Sequence, residues 1–509
     1  MKRNLKIFFV LIIGGLLLKS CFVDNGNYDY KDIMVNKITI KYPVYGLNVY
    51  IGEPVLFTPT LTYANTEQAD TNIYKWEYHF DNYGCVSTDR NMDVVFDDAV
   101  VGKTYNGIVM ATDTTTGAVY TQNISFRYNS RYTVGWLILS NESGNSRLNL
   151  VRELNGQWFS DKDIYRTLHN KELGTNPKAI VVNRSGRSEV RLIQEGPAGS
   201  IILDGLTYAN IGNFSSEFVG NKYPEGFKPK FMFAGGNLAA MLGEDGKVYT
   251  KTYRGSGTST YAYDFFVNVP LQLNNQVLDV QYLLGSPSVI YNSLLFDKGA
   301  SCFYMLYGAS YSNAGKLFGL KPPADWTPET GVPSPDNLSN YDVIHCQIKS
   351  SGSYQTDIHS VIKEKNTGQL YMYSFEYSSS STTALNVRNI EFRQIPPAVA
   401  SLMSEDTKFH MLRGRPYMFF SPGNDPSSLY YYDPRTTMHA LFKGDFNSPI
   451  TSIESNYSTN NSIGVGLENG KFYLMDVSEQ VFIGGSEEDK VIFETQLNGK
   501  IIDMFYKSM

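Results

Sequence analysis

Apolar and polar positions alternate over short stretches through most of the chain, and stretches with helical periodicity are hard to find. Between Val35 and about Tyr128, short strand patterns recur every ~8–12 residues, with turn residues between them. From Gly135 onwards a different unit repeats: an apolar strand, a turn containing Gly, and a second strand rich in Tyr. This pattern predicts an all-β protein, with a sandwich-like domain over 35–130 and a larger repeat domain over 131–509.

The repeat domain has the spacing of a β-propeller. Its clearest copies are Asp245–Tyr249 (DGKVY) and Asn469–Tyr473 (NGKFY). The turns recur every ~40–70 residues, which is the length that a four-stranded blade with its loops needs. We predict about seven blades, with six or eight as the alternatives. They are expected to centre near residues 145, 190, 240, 298, 367, 420 and 463.

Two strands of this domain allow sharper expectations. Lys500–Tyr506 is a strand with no blade after it, and we predict that it pairs with Trp136–Ser140 and closes the ring. Closure would remove the exposed sheet edges. Leu370–Tyr377 (LYMYSFEY) places four aromatic side chains on one face, because side chains alternate along a strand. We expect that face to pack between blades.

The amino-terminal residues form a leader pattern. A positive start (KRNLK) precedes Ile7–Leu18, a run without charged or polar side chains. Its length suits a signal-peptide core and falls short of the ~20 residues of a bilayer span. The segment LKSC, ending at Cys21, resembles a bacterial lipobox, although Lys19 stands where a small residue is usual. We predict a signal peptide over 1–20, lipid attachment at Cys21 and a polar tether over 21–34; an ordinary cleaved leader is the alternative.

Charge and cysteine content narrow the function classes. The formal net charge is −6, and loss of four cationic residues with the leader makes the mature chain more acidic. Nucleic acid needs clustered Lys and Arg, so it is not an expected partner. Beyond Cys21 only Cys85, Cys302 and Cys346 remain. We read them as buried single thiols, and one disulfide among them stays open.

The first domain resembles a known repeat. Gly52-Glu-Pro-Val55, a strand with a lone Trp76, and a closing VMATD…TGAVYT hairpin resemble the polycystic-kidney-disease (PKD) repeat, an immunoglobulin-like sandwich. With the lipobox, NYDY and GWLILS, the whole chain is similar to the PKD-like lipoproteins of gut Bacteroidetes. The resemblance implies a surface-exposed, lipid-anchored outer-membrane protein that assists nutrient capture beside a transporter and lacks a defined catalytic site.

Motifs for catalysis or metal binding are missing from the sequence. It has no G-x-S-x-G nucleophile elbow, no H-E-x-x-H and no D-x-D-x-D-G calcium loop. No two of its six histidines have metal-ligand spacing. The S-x-D-x-G-x-T-W boxes of sialidase-type propellers are also missing. We expect no catalytic residue, no metal and no cofactor, although spacing cannot exclude paired carboxylates from distant strands.

Ligand contacts are expected in three stretches that are too long for simple blade turns: Leu206–Lys230, Tyr253–Gln276 and Lys316–Tyr341. The third holds five prolines and Trp326, whose indole could stack on a sugar ring. The alternative is that Trp326 pins the loop onto its own blade. Trp326, Tyr341 and Tyr253 are the predicted ligand-binding residues.

The sequence therefore predicts non-catalytic binding, of glycan or of partner proteins in an uptake complex, at the outer cell surface. Two alternatives remain. One is a propeller enzyme that acts on polysaccharide with dispersed carboxylates, for which Asp, Glu or Arg should converge at the mouth of the propeller. The other is a purely structural subunit that docks on an outer-membrane transporter.

Overall fold

A computed structural model of the chain describes residues 37–39, 47–50, 53–62, 73–96, 99–154, 156–183, 189–235, 237–252, 265–285, 292–308, 313–351, 355–378, 381–383, 385–486 and 488–508. The predicted signal peptide, Cys21, the tether and Tyr253 lie outside these residues. The chain divides into two compact units, Met1–Tyr128 and Asn129–Met509. The described residues are almost entirely strands and turns, so the all-β prediction is confirmed.

The first unit is a β-sandwich. One sheet has the strand order β2-β9-β8-β5-β6, and two small sheets pair β3 with β7 and β1 with β4. Trp76 is 4% exposed in the middle of β5, within a core rich in aromatic side chains. The strands of this unit are β1 (Lys37–Thr39), β2 (Leu47–Tyr50), β3 (Val55–Phe57), β4 (Thr60–Thr62), β5 (Tyr74–Phe80), β6 (Gly84–Ser87), β7 (Met92–Val94), β8 (Thr104–Asp113) and β9 (Val119–Asn129).

The second unit consists of seven antiparallel blades, listed here in chain order, and a single residue pair, Asn145 opposite Thr175, links the sheets of the first two. The first blade contains β10 (Gly135–Glu142), β11 (Asn145–Leu154) and β12 (Gln157–Asp161). The second contains β13 (Thr175–Asn183), β14 (Glu189–Glu195), β15 (Ile201–Asp204) and β16 (Asn210–Asn213). The third contains β17 (Pro229–Gly235), β18 (Leu238–Gly243) and β19 (Val248–Thr252), and a separate two-stranded sheet of β20 (Gln272–Leu273) and β21 (Gln276–Val277) follows it.

The remaining blades have four strands each. The fourth contains β22 (Val280–Gly285), β23 (Asn292–Asp297), β24 (Cys302–Tyr307) and β25 (Leu317–Gly319). The fifth contains β26 (Tyr341–Ser351), β27 (Gln355–Glu364), β28 (Leu370–Ser378) and β29 (Arg388–Gln394). The sixth contains β30 (Phe409–Met411), β31 (Met418–Phe420), β32 (Leu429–Tyr432) and β33 (His439–Lys443). The seventh contains β34 (Ile450–Ser455), β35 (Ser462–Leu467), β36 (Lys471–Asp476) and β37 (Val491–Gln496).

The final strand, β38 (Lys500–Lys507), closes the ring by completing the first blade. It pairs antiparallel with β10 from Gly135 opposite Lys507 to Asn141 opposite Lys500, which confirms the predicted closure. β38 is therefore the innermost strand of blade 1, and each later blade contributes its own first strand. These seven strands lie against one another in the order β38, β13, β17, β22, β26, β30, β34 and back to β38.

Each pair of neighbouring blades buries one apolar cluster between them, and the seven clusters of the described propeller residues account for the seven seams. The aromatic face of β28 shows how such a seam forms. Tyr373, Phe375 and Tyr377 are buried against blade 4, as predicted, while Met372 on the opposite face packs against blade 6. Because side chains alternate along a strand, one strand provides apolar contacts to the blades on both of its sides.

Several local expectations need correction. Leu206–Lys230 and Lys316–Tyr341 are not loops throughout, because they contain the outer strands β16 and β25. Cys302 and Cys346 are buried free thiols, whereas Cys85 is exposed on the sandwich.

The described helices are short. They are α1 (Ile164–His169), α2 (Pro397–Ala400), α3 (Glu479–Gly484) and two 3-10 turns at Phe214–Glu217 and Pro328–Thr330. None of the helices in the described part of the chain has the length and apolar character that a membrane span requires.

Candidate functional site

Polar side chains join consecutive blades around the ring axis. The Gln347 side chain on β26 reaches β30, where its Oε1 accepts from the Met411 amide at 2.9 Å and its Nε2 donates to the Met411 carbonyl at 3.3 Å. On β22, the Tyr282 hydroxyl donates to the Ile344 carbonyl of β26 at 2.6 Å. Backbone groups on the innermost strand of one blade are thus satisfied by a side chain of the preceding blade.

Asp503 makes the corresponding link where the ring closes. Its Oδ2 accepts from the Ile180 amide of β13 at 2.9 Å, and its Oδ1 accepts from the Met504 amide at 2.9 Å. The β38–β10 register shifts beside it, and such a bulge re-aims the following side chain. Burial raises the pKa of the Asp503 carboxyl to about 6, against the lowering effect of the two amides.

Glu454 and Tyr457 lie at the end of β34 and just beyond it. Glu454 Oε1 accepts from the Ser455 amide at 2.8 Å, and the Tyr457 side chain also hydrogen-bonds to the carboxyl group. Arg413 covers the Tyr457 ring, with its guanidinium carbon 4.0 Å from the ring centroid. Burial raises the pKa of Glu454 to about 7, and nearby Asp503 raises it further while Arg413 opposes the shift.

Two histidines continue this group on the neighbouring blades. His410 on β30 contacts the Ser455 hydroxyl of β34 through Nε2, and His345 on β26 lies 3.4 Å from Gln347 Oε1. Burial lowers the pKa of His410 to about 3, with further lowering by His345 and Arg413. Burial likewise lowers the pKa of His345 to about 4. Both imidazoles are therefore neutral near pH 7, and each offers one donor and one acceptor.

These side chains form one group, which we call the axial cluster: His345, His410, Arg413, Glu454, Tyr457 and Asp503. His410 and Arg413 are buried, whereas His345, Glu454, Tyr457 and Asp503 each keep some solvent-accessible surface. The same four side chains have the pKa shifts of dehydrated groups. Partial access together with pKa shifts caused by burial indicates side chains that are not freely hydrated.

A second group of buried charges lies between blades 2 and 3. Arg191 forms ion pairs with Glu189 at 2.8 Å and with Glu217 at 2.5 Å, and Lys251 pairs with Glu217 at 2.7 Å. The opposite charges compensate one another within the seam, which is the condition for burying them. This group therefore joins two blades. Across the described ranges, no three His, Cys, Asp or Glu side chains are placed to hold a metal ion together.

Two of the three predicted ligand-binding residues, Trp326 and Tyr341, are among the described residues. They contact different groups and do not form one site. Trp326 is partly buried, and its indole N–H donates to the Val332 carbonyl of the same loop at 3.0 Å. This contact lies within the loop itself, so both readings of Trp326 stay predictions. Tyr341 begins β26 and packs edge-on against the Tyr371 and Phe392 rings. Neither residue belongs to the axial cluster.

The axial cluster was missed at the sequence level. Its members are far apart in the chain, and none has a neighbour at catalytic or metal-ligand spacing. One weak signal is present: in the first strands of blades 6 and 7 and in the last strand, a single His, Glu or Asp interrupts the pattern, as in FHM, SIES and IIDMF. An ionisable residue at the same place in successive repeats marks the positions that meet at the axis.

Comparison with known proteins gives similarities of architecture. No curated protein matches the chain. A solved quinonprotein alcohol dehydrogenase-like protein of Bacteroides thetaiotaomicron VPI-5482 is similar over 92% of this chain and 97% of its own, with 10% identity and a TM-score of 0.38. Citrobacter koseri AztD is similar over 78% of this chain and 94% of its own, with 11% identity and a TM-score of 0.36.

The family comparison covers the amino-terminal part of the chain. The matched segment begins at Cys21 and ends at residue 177. It therefore includes the whole sandwich, the first propeller blade as far as β12, and the start of β13. Over residues 21–177 the chain matches the PKD-like family.

Proposed function

We propose that this protein is a lipoprotein of the outer cell surface that binds glycan without chemically changing it, as an accessory component of a nutrient-uptake system. The observation that carries the proposal is the family match, which starts at Cys21, where the predicted leader ends. The matched segment joins a sandwich to the start of the propeller, as expected of a spacer with a binding scaffold beyond it.

The carboxylates on the axis support a binding role over a catalytic one. Both Asp503 oxygens accept hydrogen bonds from backbone amides, one of them across the seam that closes the ring. A nucleophile or general base must approach the reacting atom and exchange its bonds during turnover. Asp503 could do so only by releasing the Ile180 amide. Its position is that of a group that holds the scaffold together.

Affinity electrophoresis through gels that contain single polysaccharides tests the glycan part of the proposal. We expect at least one neutral polysaccharide to retard the wild-type protein relative to a gel without polysaccharide. The Trp326→Ala variant shows whether the proline-rich loop contributes to polysaccharide binding. No retardation of the wild-type protein in any gel would contradict glycan binding, whereas equal retardation of the wild-type protein and Trp326→Ala would exclude only a contribution of this loop. Co-purification of an outer-membrane transporter with the tagged protein tests the uptake part.

A propeller enzyme acting on polysaccharide is the second candidate, and the convergence of Glu454, Asp503 and Arg413 favours it. A carboxyl with a pKa of about 7 is suited to general-acid catalysis near neutral pH. The discriminating measurement is the release of reducing ends or unsaturated products from the retarding polysaccharide. Under the binding proposal none is released. Turnover by the wild-type protein that Glu454→Gln abolishes would establish the enzyme instead.

A further inference from the structure

The axial cluster gathers its side chains at one end of the ring. Arg413 follows the end of β30, and Tyr457 follows the end of β34. Glu454 is the next-to-last residue of β34, so all three lie where neighbouring innermost strands finish. The strands run in the same direction around the ring, because each is the first strand of its blade. The ends of two neighbouring innermost strands, β30 and β34, therefore bring a guanidinium, a phenol and a carboxyl to one place.

Glu454 has hydrogen-bonding capacity beyond its described contacts within the protein. A carboxylate has about four acceptor positions. The described partners of Glu454 are the Ser455 amide and the Tyr457 side chain, which leaves room for donors from a ligand. Glu454 and Tyr457 also keep some accessible surface. A purely structural pair would more simply be fully buried.

The charges of the cluster select the class of ligand. Both imidazoles are neutral, Arg413 carries a fixed positive charge, and Glu454 and Asp503 are carboxyls whose charge depends on pH near neutrality. An anionic ligand would meet the two carboxyls in a dehydrated site, and a cationic ligand would meet Arg413. A neutral ligand rich in hydroxyl groups avoids both penalties and can use donors and acceptors alike.

Aromatic rings in the same place fit a ligand with a ring of its own. The Tyr457 ring lies 6.1 Å from the Phe505 ring of β38, measured between centroids. Phe505 is partly exposed and adjoins the strand position of Asp503. Flat apolar surfaces beside hydroxyl-binding groups are suited to a sugar, which has apolar C–H faces and a polar rim.

We propose that the axial cluster is a saccharide-binding site, in which Glu454, Tyr457 and Arg413 hold one neutral sugar unit at the ring axis. This proposal rests on the proposed glycan-binding function and specifies where the sugar is held. It moves the principal contacts from the Trp326 loop to the ends of the innermost strands.

Isothermal titration with glucose, galactose, mannose and N-acetylglucosamine, each at millimolar concentration, tests the site on the full-length protein. We expect at least one sugar to bind, and Glu454→Gln and Tyr457→Phe each to weaken it about tenfold, the size of one lost hydrogen bond involving a charged group. We also expect the uronic acid of the bound sugar to bind more weakly than the neutral sugar. Glu494→Gln is the matched control, because Glu494 is exposed on the outer strand β37.

The outcomes separate the two proposals. Wild-type binding that Glu454→Gln and Tyr457→Phe leave unchanged overturns the axial site and leaves glycan binding standing. No binding of any sugar or polysaccharide by the wild-type protein overturns both. Thermal unfolding of each variant shows whether its ring is intact. If Glu454→Gln fails to fold, Tyr457→Phe decides, because it removes a hydroxyl and keeps the ring that packs under Arg413.

Discussion

At the residue scale, the axial cluster combines ionisable groups whose burial has opposite consequences for stability. Burial raises the pKa of Glu454 and Asp503 and lowers the pKa of His345 and His410. The carboxyls stabilise the fold below their unfolded pKa values, and this contribution is lost as pH rises through about 6 to 7. The histidines stabilise it above about 6.5, and that contribution is lost as pH falls towards 4. The two effects oppose each other between pH 4 and 7.

Single substitutions should therefore reveal two slopes of opposite sign. Glu454→Gln removes a group that favours the folded state in acid, so its Tm at pH 5 relative to pH 8 should fall against the wild-type value. His410→Gln removes a group that disfavours it in acid, so the same difference should rise. We expect changes on the order of a few °C. Calorimetry at the two pH values measures both, with Glu494→Gln as the control. Changes of the same sign in the two variants would contradict the predicted opposite effects of the carboxyl and the histidine on stability.

At the element scale, strand alternation and repeat spacing were sufficient to predict most of the propeller. The β38–β10 pairing and the buried aromatic face of β28 follow from strands whose apolar residues are visible in the sequence. β16 (NIGN) and β25 (LFG) were hidden, because three or four residues are too few to show an alternation of apolar and polar positions. Outer strands bury little, so their sequences are weakly constrained.

The axial contacts could not be predicted for a different physical reason. Whether Asp503 meets Ile180, or His410 meets Ser455, depends on the register between innermost strands of separate blades. Local bulges set that register, and the β38–β10 and β26–β27 pairs both have one beside an axial residue. A bulge shifts which side chains face a neighbour, and one sequence gives no sign of its position.

Closure of the ring depends on a glycine that enters β38. Gly499 has a φ of +76°, and a Cβ there would lie 2.1 Å from the Asn141 carbonyl oxygen of β10. Gly156, in the β11–β12 turn of the same blade, has a φ of +77° with no atom within 4 Å of such a Cβ. The two positions share one backbone conformation and differ only in the contact. Alanine substitutions at the two positions therefore distinguish the cost of a left-handed backbone from the cost of a steric clash.

Gly156→Ala should reduce the free energy of unfolding by about 1–2 kcal/mol, the penalty for a left-handed Ala. Gly499→Ala should add the displacement of β38 from β10, for a total of several kcal/mol. Denaturant unfolding of both variants measures the difference in their free energies of unfolding. Limited proteolysis shows whether the chain near the carboxyl terminus has become accessible in Gly499→Ala. Equal losses would show that the closing strand tolerates a side chain at this turn.

At the scale of the whole molecule, the chain contains two units with separate cores. The sandwich core lies within residues up to Tyr128, and the seven propeller seams lie beyond it. Both halves of the closing blade, β10–β12 and β38, belong to the second unit. All strands needed for a closed ring are thus present in one continuous segment.

Residues 129–509 should consequently fold when produced alone, with a cooperative thermal transition at the temperature of one transition of the full chain. A matched segment that ends at residue 497 lacks β38 and leaves β10 and β34 without their neighbour. It should lose that transition and become sensitive to protease. A propeller segment that unfolds in the presence of β38 would show that the sandwich is required for its stability.

The proposed membrane attachment also concerns the whole molecule, and a pair of cysteines tests it. Cys21 is the first residue of the family match, whereas Cys85 is an exposed thiol on the sandwich. Acyl chains hold a protein at a membrane in proportion to their buried methylene groups, about 0.8 kcal/mol each, so two or more chains give stable attachment. Cys21→Ser should therefore shift the protein from the detergent phase to the aqueous phase in Triton X-114 partitioning, and Cys85→Ser should not. Mass spectrometry of the amino-terminal peptide identifies the modification, and an aqueous wild-type protein would favour an ordinary cleaved leader.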